Sequence, residues 1–141
     1  MKLKVKKLHP DAKVPQYMIG GDAGLDLFSV EDVIIKPGQR HAVATGLALE
    51  LEPGFVSLIW DKSGIALKKG IKTMGGVIEH TYRGEYKVIM VNLSDQEYII
   101  AKGDKIAQLL IQPIVTAEIT EMEELSDTAR GSGGFGSGGV R

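Results

Sequence analysis

Apolar residues in this chain gather in short, β-branched runs and not at helical spacing. The runs are Asp32–Ile35, His41–Leu51, Phe55–Trp60, Tyr86–Leu93, Tyr98–Ala101, Ile106–Ile111 and Ile114–Ile119. Each has the length and residue types that strands favour. Turn-forming residues stand between them, at Pro37-Gly38, Pro53-Gly54, Ser94-Asp95 and Lys102-Gly103-Asp104, where glycine, proline and short polar side chains stabilise chain reversals. Many short strands with such punctuation predict an all-β sandwich or jelly roll. Tyr86–Leu93 is apolar on both faces for several residues. Such a strand fits either contact with another subunit on one face or a deep monomer core.

One segment has helical character. Asp61-Lys62-Ser63-Gly64 precedes Ile65–Lys69 and then Gly70, which predicts a short helix with a capping residue before it and a terminating glycine after it. The stretch from Ala117 to Asp127 carries Glu118, Glu121, Glu123, Glu124 and Asp127 and reads as a solvated linker. The pattern therefore divides the chain into a β domain over residues 1–127 and a glycine-rich C-terminal tail over 128–141.

Composition narrows the picture. A length of 141 residues suits a single domain with a real core. Lys and Arg number 17 against 18 for Asp and Glu, so no broad basic footprint for nucleic acid or a membrane surface exists. Any positive charge that meets a phosphate must be local. The absence of cysteine excludes a disulfide framework and a thiolate metal site. The basic N-terminus has no apolar run of signal-peptide length, and no stretch approaches a membrane span. The expected location is the cytoplasm.

Candidate chemistry follows from a few segments. The Ser63-Gly64 helix start, with Lys62 beside it, reads either as a phosphate cradle or simply as a capped helix, because free N–H groups at a helix N-terminus attract anions. Asp26 and Glu79 are carboxylates in suggestive settings, and a general base must be a carboxylate or imidazole placed to hold a water. His9, His41 and His80 lack ligand spacing. No all-protein metal site is evident, which leaves a metal held by substrate phosphates and waters. The tail contains a formal GxGxxG from Gly131 to Gly136, but no strand precedes it and no helix can follow it, so a dinucleotide site is rejected. That tail is either a flexible end or an arm that folds over a ligand. An arm would use Phe135 to stack on a ring, Arg130 to pair with phosphate, and glycine N–H groups as an anion nest.

In order along the chain, AGLDLFS (Ala23–Ser29), DKSGIA (Asp61–Ala66), GGVIEHTYRGEY (Gly75–Tyr86), GDKIAQLLI (Gly103–Ile111) and RGSGGFGSGG (Arg130–Gly139) resemble the motifs of the trimeric dUTPase family. The likeness runs from about Pro15 to the end. It implies a jelly-roll or β-clip barrel with one short helix, assembled as a homotrimer with active sites at subunit boundaries. It implies hydrolysis of dUTP to dUMP and pyrophosphate with Mg²⁺. By the same likeness, the glycine segment near Lys72–Val77, including Gly76 and Val77, accepts uracil through its backbone, and Tyr82 packs on the deoxyribose. Lys62, Ser63, Gly64 and Gln108 meet phosphates, and Asp26 holds the water shell of Mg²⁺ without binding it directly. Glu79 activates the attacking water, while Arg130, Phe135, Gly136 and Ser137 belong to the closing arm. The resemblance departs at Glu79 (the family usually has aspartate), at Lys62 (usually arginine) and at Thr81 (often an acid). These departures keep a non-catalytic deoxynucleotide-binding trimer as an alternative. A dCTP deaminase is a further alternative, disfavoured because Ile89, near the position of that branch's glutamate, is expected to be a buried isoleucine unable to shuttle protons.

Overall fold

A computed structural model describes residues 1–135 and 137 of the chain. Among these, the elements are β1 (Lys4–Lys7), β2 (Leu25–Phe28), β3 (Val33–Ile35), β4 (Arg40–Ala44), β5 (Leu47–Glu50) and β6 (Phe55–Trp60), then α1 (Ser63–Lys69). They continue with β7 (Ile71–Met74), β8 (Val77–Glu79), β9 (Lys87–Asn92), β10 (Tyr98–Ile100) and β11 (Lys105–Pro113). The chain is all-β but for one short helix. Sheet orders are β2-β11-β6-β8, β4-β9-β7, β1-β5 and β10-β3, with antiparallel pairing throughout.

The larger sheets close over Leu27, Ile35, Val43, Leu49, Ile71, Val88, Met90, Ile100, Ile106 and Leu109, all buried. Burying such side chains stabilises a fold by roughly 1.5–3 kcal/mol each before entropy is counted. Alternation explains which residues enter. In β9, Val88, Met90 and Asn92 point inward while Lys87 and Ile89 are exposed, as a period of two requires. The outer face of this apolar strand is thus open.

The hydrophobic runs located the strands well and their ends less well. His41–Leu51 is two strands, interrupted at Thr45-Gly46, and the run at Ile114–Ile119 forms no strand. β11 instead ends at Pro113, and the 117–127 segment is exposed throughout. Strands β1, β2, β7 and β8 fall outside the hydrophobic runs; lysine or an acid interrupts each of them. Among the described residues, no helix is long and apolar enough to cross a membrane.

Candidate active site

Strand register builds one half of the site. Gln108 on β11 stands opposite Asp26 on β2 and opposite Trp60 on β6, so three distant segments meet along one line across the sheet. Lys105 and Gln108 are three residues apart, and strict alternation would place them on opposite faces. A bulge between Lys105 and Ala107 adds one residue and returns Lys105 to the side of Asp26. Asp26 is buried, at 4% exposure, and Lys62 Nζ donates to its Oδ1. Lys105 Nζ stands 2.8 Å from Oδ2 but off the line of a hydrogen bond, so Oδ2 is buried with no hydrogen-bond donor. Burial works to raise the Asp26 carboxyl, but the ammonium groups of Lys105 and Lys62 outweigh it and hold it below the usual carboxylate range. Asp26, Lys62, Lys105, Gln108 and Gly24 line a cavity of about 310 Å³. A Cβ on Gly24 would lie 2.5 Å from the Gln108 side-chain oxygen, so this position must be glycine for Gln108 to enter.

The helix begins differently from the sequence reading. Lys62 occupies the N-cap position in extended geometry and makes no side-chain cap, and Ser63 is already inside the helix. The Lys62 carbonyl accepts from the N–H groups of Ile65 and Ala66. The helix end carries no side-chain cap, and a Cβ at Gly64 would meet nothing. Gly70 closes the helix as expected, its N–H reaching the Ala66 carbonyl at 3.1 Å.

The second half lies between β7 and β8. These neighbours are not paired with each other: β7 joins β9, whereas β8 joins β6. The chain changes sheet at Gly75-Gly76. Gly76 adopts φ 95°, and its carbonyl accepts from the Ile59 N–H at 2.8 Å. A side chain there would strike the Ile59 carbonyl at 2.8 Å, so backbone approach is possible only with glycine. Lys72, Gly75, Gly76 and Val77 wall a slot of about 220 Å³. Beside it a cavity of about 940 Å³ is lined by Gly76, Val77, Glu79, Tyr82, Glu85 and Ile89, among others. Glu79 ends β8 with its side chain exposed. The turn that follows is fixed by the Tyr82 N–H on the Glu79 carbonyl at 3.0 Å. The Tyr82 hydroxyl donates to the Glu85 carbonyl at 3.1 Å, which holds the ring on the cavity wall.

Two supports were not legible in the sequence. Beneath β8, the fully buried Tyr86 shares a 2.8 Å hydrogen bond with the Ser57 hydroxyl, and Ser57 donates to the Ile78 carbonyl at 3.1 Å. Burial pushes the Tyr86 phenol up, with the Ser57 bond opposing. The other support is Asp61, whose carboxylate accepts from Thr73 N–H at 2.6 Å and from Thr73 Oγ1 at 2.8 Å. Burial tends to raise its carboxyl, but the bonds from Lys72 and Thr73 prevail and lower it.

Among the described residues, none of the C-terminal segment lines either cavity of its own chain. Arg130 is exposed and donates from Nε to the Gly133 carbonyl at 3.1 Å. Phe135 is fully exposed, and the Ser137 N–H reaches the Gly134 carbonyl at 3.0 Å. Gly136 lies outside the described residues.

Residues 10–139 match the family model described as dUTPase. The chain belongs to the dUTPase family. A curated relative from Hydrogenobaculum sp. (strain Y04AAS1), named deoxyuridine 5'-triphosphate nucleotidohydrolase, is 52% identical over 144 residues and covers 100% of both chains. A solved mutant of the Staphylococcus bacteriophage 80alpha dUTPase with dUpNHpp is 31% identical, with a TM-score of 0.93 and 99% of each chain covered. A mutant of the dUTPase from phage phi11 of S. aureus is 27% identical, with a TM-score of 0.85, covering 90% of this chain and 100% of that one. It is described as revealing the coordination of a structural Mg(II) ion.

Within the dUTPase frame two points need correction or testing. Ile89 is not buried: it is 40% exposed and lines the large cavity, although it still offers no proton. For a divalent cation, the described residues hold no cluster of three His, Cys, Asp or Glu side chains. The buried Oδ2 of Asp26, which has no hydrogen-bond donor, fits a role as acceptor for water on an ion that phosphates carry.

Proposed function

We propose that this chain is a dUTP pyrophosphatase that attacks the α-phosphorus with a water held by Glu79. The supporting observation is the cavity of about 940 Å³ whose wall carries Glu79, Tyr82, Gly76 and Val77 together, next to the slot with exposed glycine backbone. In this reading uracil enters the slot at Gly75–Val77 and meets main-chain groups. Tyr82 lies under the deoxyribose and leaves no space for a 2′-hydroxyl. Lys62, Ser63, Gly64 and Gln108 hold the phosphates, using an uncapped helix start and a fixed amide.

The Glu79 carboxylate accepts a hydrogen bond from water and takes its proton as the oxygen attacks in line. The bond from the α-phosphorus to the bridging oxygen breaks, and pyrophosphate leaves with the electron pair. Asp26 would hold the water shell of a Mg²⁺ bound with the substrate, and that ion would supply charge neutralisation at the phosphate oxygens. The exposed apolar side chains Met74, Val77 and Ile89 support a partner subunit over this face, in a homotrimer. Residues 128–141 then act as an arm, with Arg130 on phosphate, Phe135 on the base, and Gly136 and Ser137 between subunits and ligand. Closure of that arm excludes bulk water.

The test is hydrolysis of dUTP with Mg²⁺ in heavy-oxygen water, followed by mass analysis of both products. The account predicts pyrophosphate release with the label in dUMP. Label in pyrophosphate places the attack elsewhere. Tight binding of dUpNHpp with no turnover of dUTP supports a non-catalytic binding protein, the outcome that Glu79 in place of the family's usual aspartate makes worth testing.

A further inference from the structure

The ring of Tyr82 lines the large cavity, 44% exposed, and rests on the two residues that follow its turn. A Cβ on Gly84 would collide with the hydroxyl, Cζ and Cε2 of that ring, so only glycine lets the ring seat so deeply. The ring centroid lies 6.0 Å from that of the buried Tyr86, with the planes at 52°, within the range of a favourable aromatic pair. The Glu85 carbonyl, which accepts from the Tyr82 hydroxyl, is in turn tied to the corner between β4 and β5. The Glu85 carboxylate accepts from the Gly46 N–H at 2.9 Å, and the Thr45 hydroxyl donates to the Tyr86 carbonyl. The Tyr86 N–H reaches the Leu47 carbonyl at 2.8 Å. Gly46 is itself held, because the Leu8 N–H donates to its carbonyl at 2.7 Å and a Cβ there would lie 2.8 Å from that of His9. None of residues 45–47 lines the cavity.

We propose that Gly84 and Glu85 are positioning residues that set the depth of the Tyr82 ring and, through it, how strictly the site separates deoxyribose from ribose. This rests on the reading of Tyr82 under the sugar given above. A 2′-hydroxyl adds a single oxygen, so a small retreat of the ring admits it. Two opposite effects follow. Loosening the tie at Gly46 lets the ring retreat, and ribose enters. Filling the space under the ring pushes it toward the sugar, and deoxyribose is crowded too. The carboxylate bond to the Gly46 N–H is charge-assisted, among the stronger and more directional contacts available for such a tie. Base preference belongs to the slot at Gly75–Val77, a different stretch of chain, and is left unmoved.

The experiment measures kcat/KM for dUTP, UTP and dTTP in wild type, Glu85→Ala, Glu85→Gln, Gly84→Ala and Tyr82→Ala, with affinities for dUpNHpp and its 2′-hydroxyl counterpart alongside. Glu85→Ala should narrow the preference for dUTP over UTP about three- to tenfold, the size of one lost hydrogen bond, mainly through better use of UTP. Glu85→Gln keeps an oxygen for the Gly46 N–H and should restore most of the preference. Gly84→Ala should instead lower kcat/KM for dUTP about 10–100-fold through KM, with no gain for UTP. Preference for dUTP over dTTP should stay within about threefold of wild type in these three variants. Wild-type sugar preference in Glu85→Ala, or equal loss of sugar and base preference there, overturns the inference. If Gly84→Ala fails to fold, the two Glu85 variants carry the test. Tyr82→Ala reports on the premise: an unchanged sugar preference in that variant overturns the role of Tyr82 and this inference with it. A wild-type chain that binds dUpNHpp but never turns over dUTP contradicts the proposed hydrolysis, while the two affinities still decide the roles of Gly84 and Glu85.

Discussion

The Asp26–Asp61 region and the segment after Pro113 both carry residues assigned to the same ligand, yet their physical states are opposite. Around Asp26 and Asp61 every functional side chain is tied: two lysines on one carboxylate, three donors on the other, and Gln108 clamped to a main-chain carbonyl. In the C-terminal segment Val115 is 94% exposed, Leu125 88% and Phe135 fully exposed, and Arg130 bonds only within its own turn. The difference shows where ordering free energy comes from. In the barrel, burial and bonding within one chain supply it; in the proposed arm a ligand or another subunit would. Pre-organised phosphate contacts cost nothing at the moment of reaction. An arm that orders late gates the site instead.

Removing the arm should have the largest effect. Deleting residues 128–141 is expected to lower kcat/KM by about 10²–10³-fold, with the thermal midpoint unchanged because the described residues of that stretch make no hydrogen bond to the barrel. Steady-state kinetics and a melting curve on the same sample check both halves. Retained full activity would place phosphate and base recognition wholly in the barrel.

Asp26→Asn acts on the opposite region. It leaves Lys62 and Lys105 facing a neutral, buried group, and breaking a buried pair by removing one partner typically costs about 3–5 kcal/mol. Because both lysines are partly exposed, a loss of about 2–3 kcal/mol is expected in urea unfolding. The acid response has the same origin. Asp26 and Asp61 are both lowered in the folded state, so their stabilisation is complete above the unfolded carboxylate value of about 3.9 and is lost as pH falls below it toward the folded values. Stability should therefore stay level from neutrality down to about pH 5 as far as these groups are concerned, then fall. In Asp26→Asn that fall should be shallower. An identical acid slope in the variant would remove Asp26 from the account.

Tyr86→Phe is the smallest perturbation. It removes one buried hydrogen bond and leaves Ser57 holding the Ile78 carbonyl, so a loss of about 1 kcal/mol is expected. The accompanying change in kcat should be modest, since Glu79 is displaced only through its neighbour's backbone.

The architecture was largely readable from the chain because short β-branched runs and turn residues are local signals. Phe55–Trp60 coincides with the structure, and the short helix ends at Gly70 as expected but begins at Ser63 without a side-chain cap. Residues whose roles depend on register were not readable. Lys105 reaches Asp26 only because a bulge breaks the alternation, and no periodicity announces a bulge. Asp61 looked like the opening of a capped helix, whereas its carboxylate turns away to β7. Tyr86 and Ser57 meet 29 positions apart in sequence, and neither bears a signal of its own. The resemblance to the family's motifs supplied the candidate residues, and the fold shows the neighbours that hold them.

The most direct test of the central claim is the turnover of Glu79→Gln beside its affinity for dUpNHpp. Glutamine keeps the size of the side chain and removes its ability to take a proton. The account predicts a fall in kcat of about 10²–10⁴-fold, with dUpNHpp bound within about threefold of wild type. A kcat within threefold of wild type would show that another group activates the water, and would contradict the role assigned to Glu79.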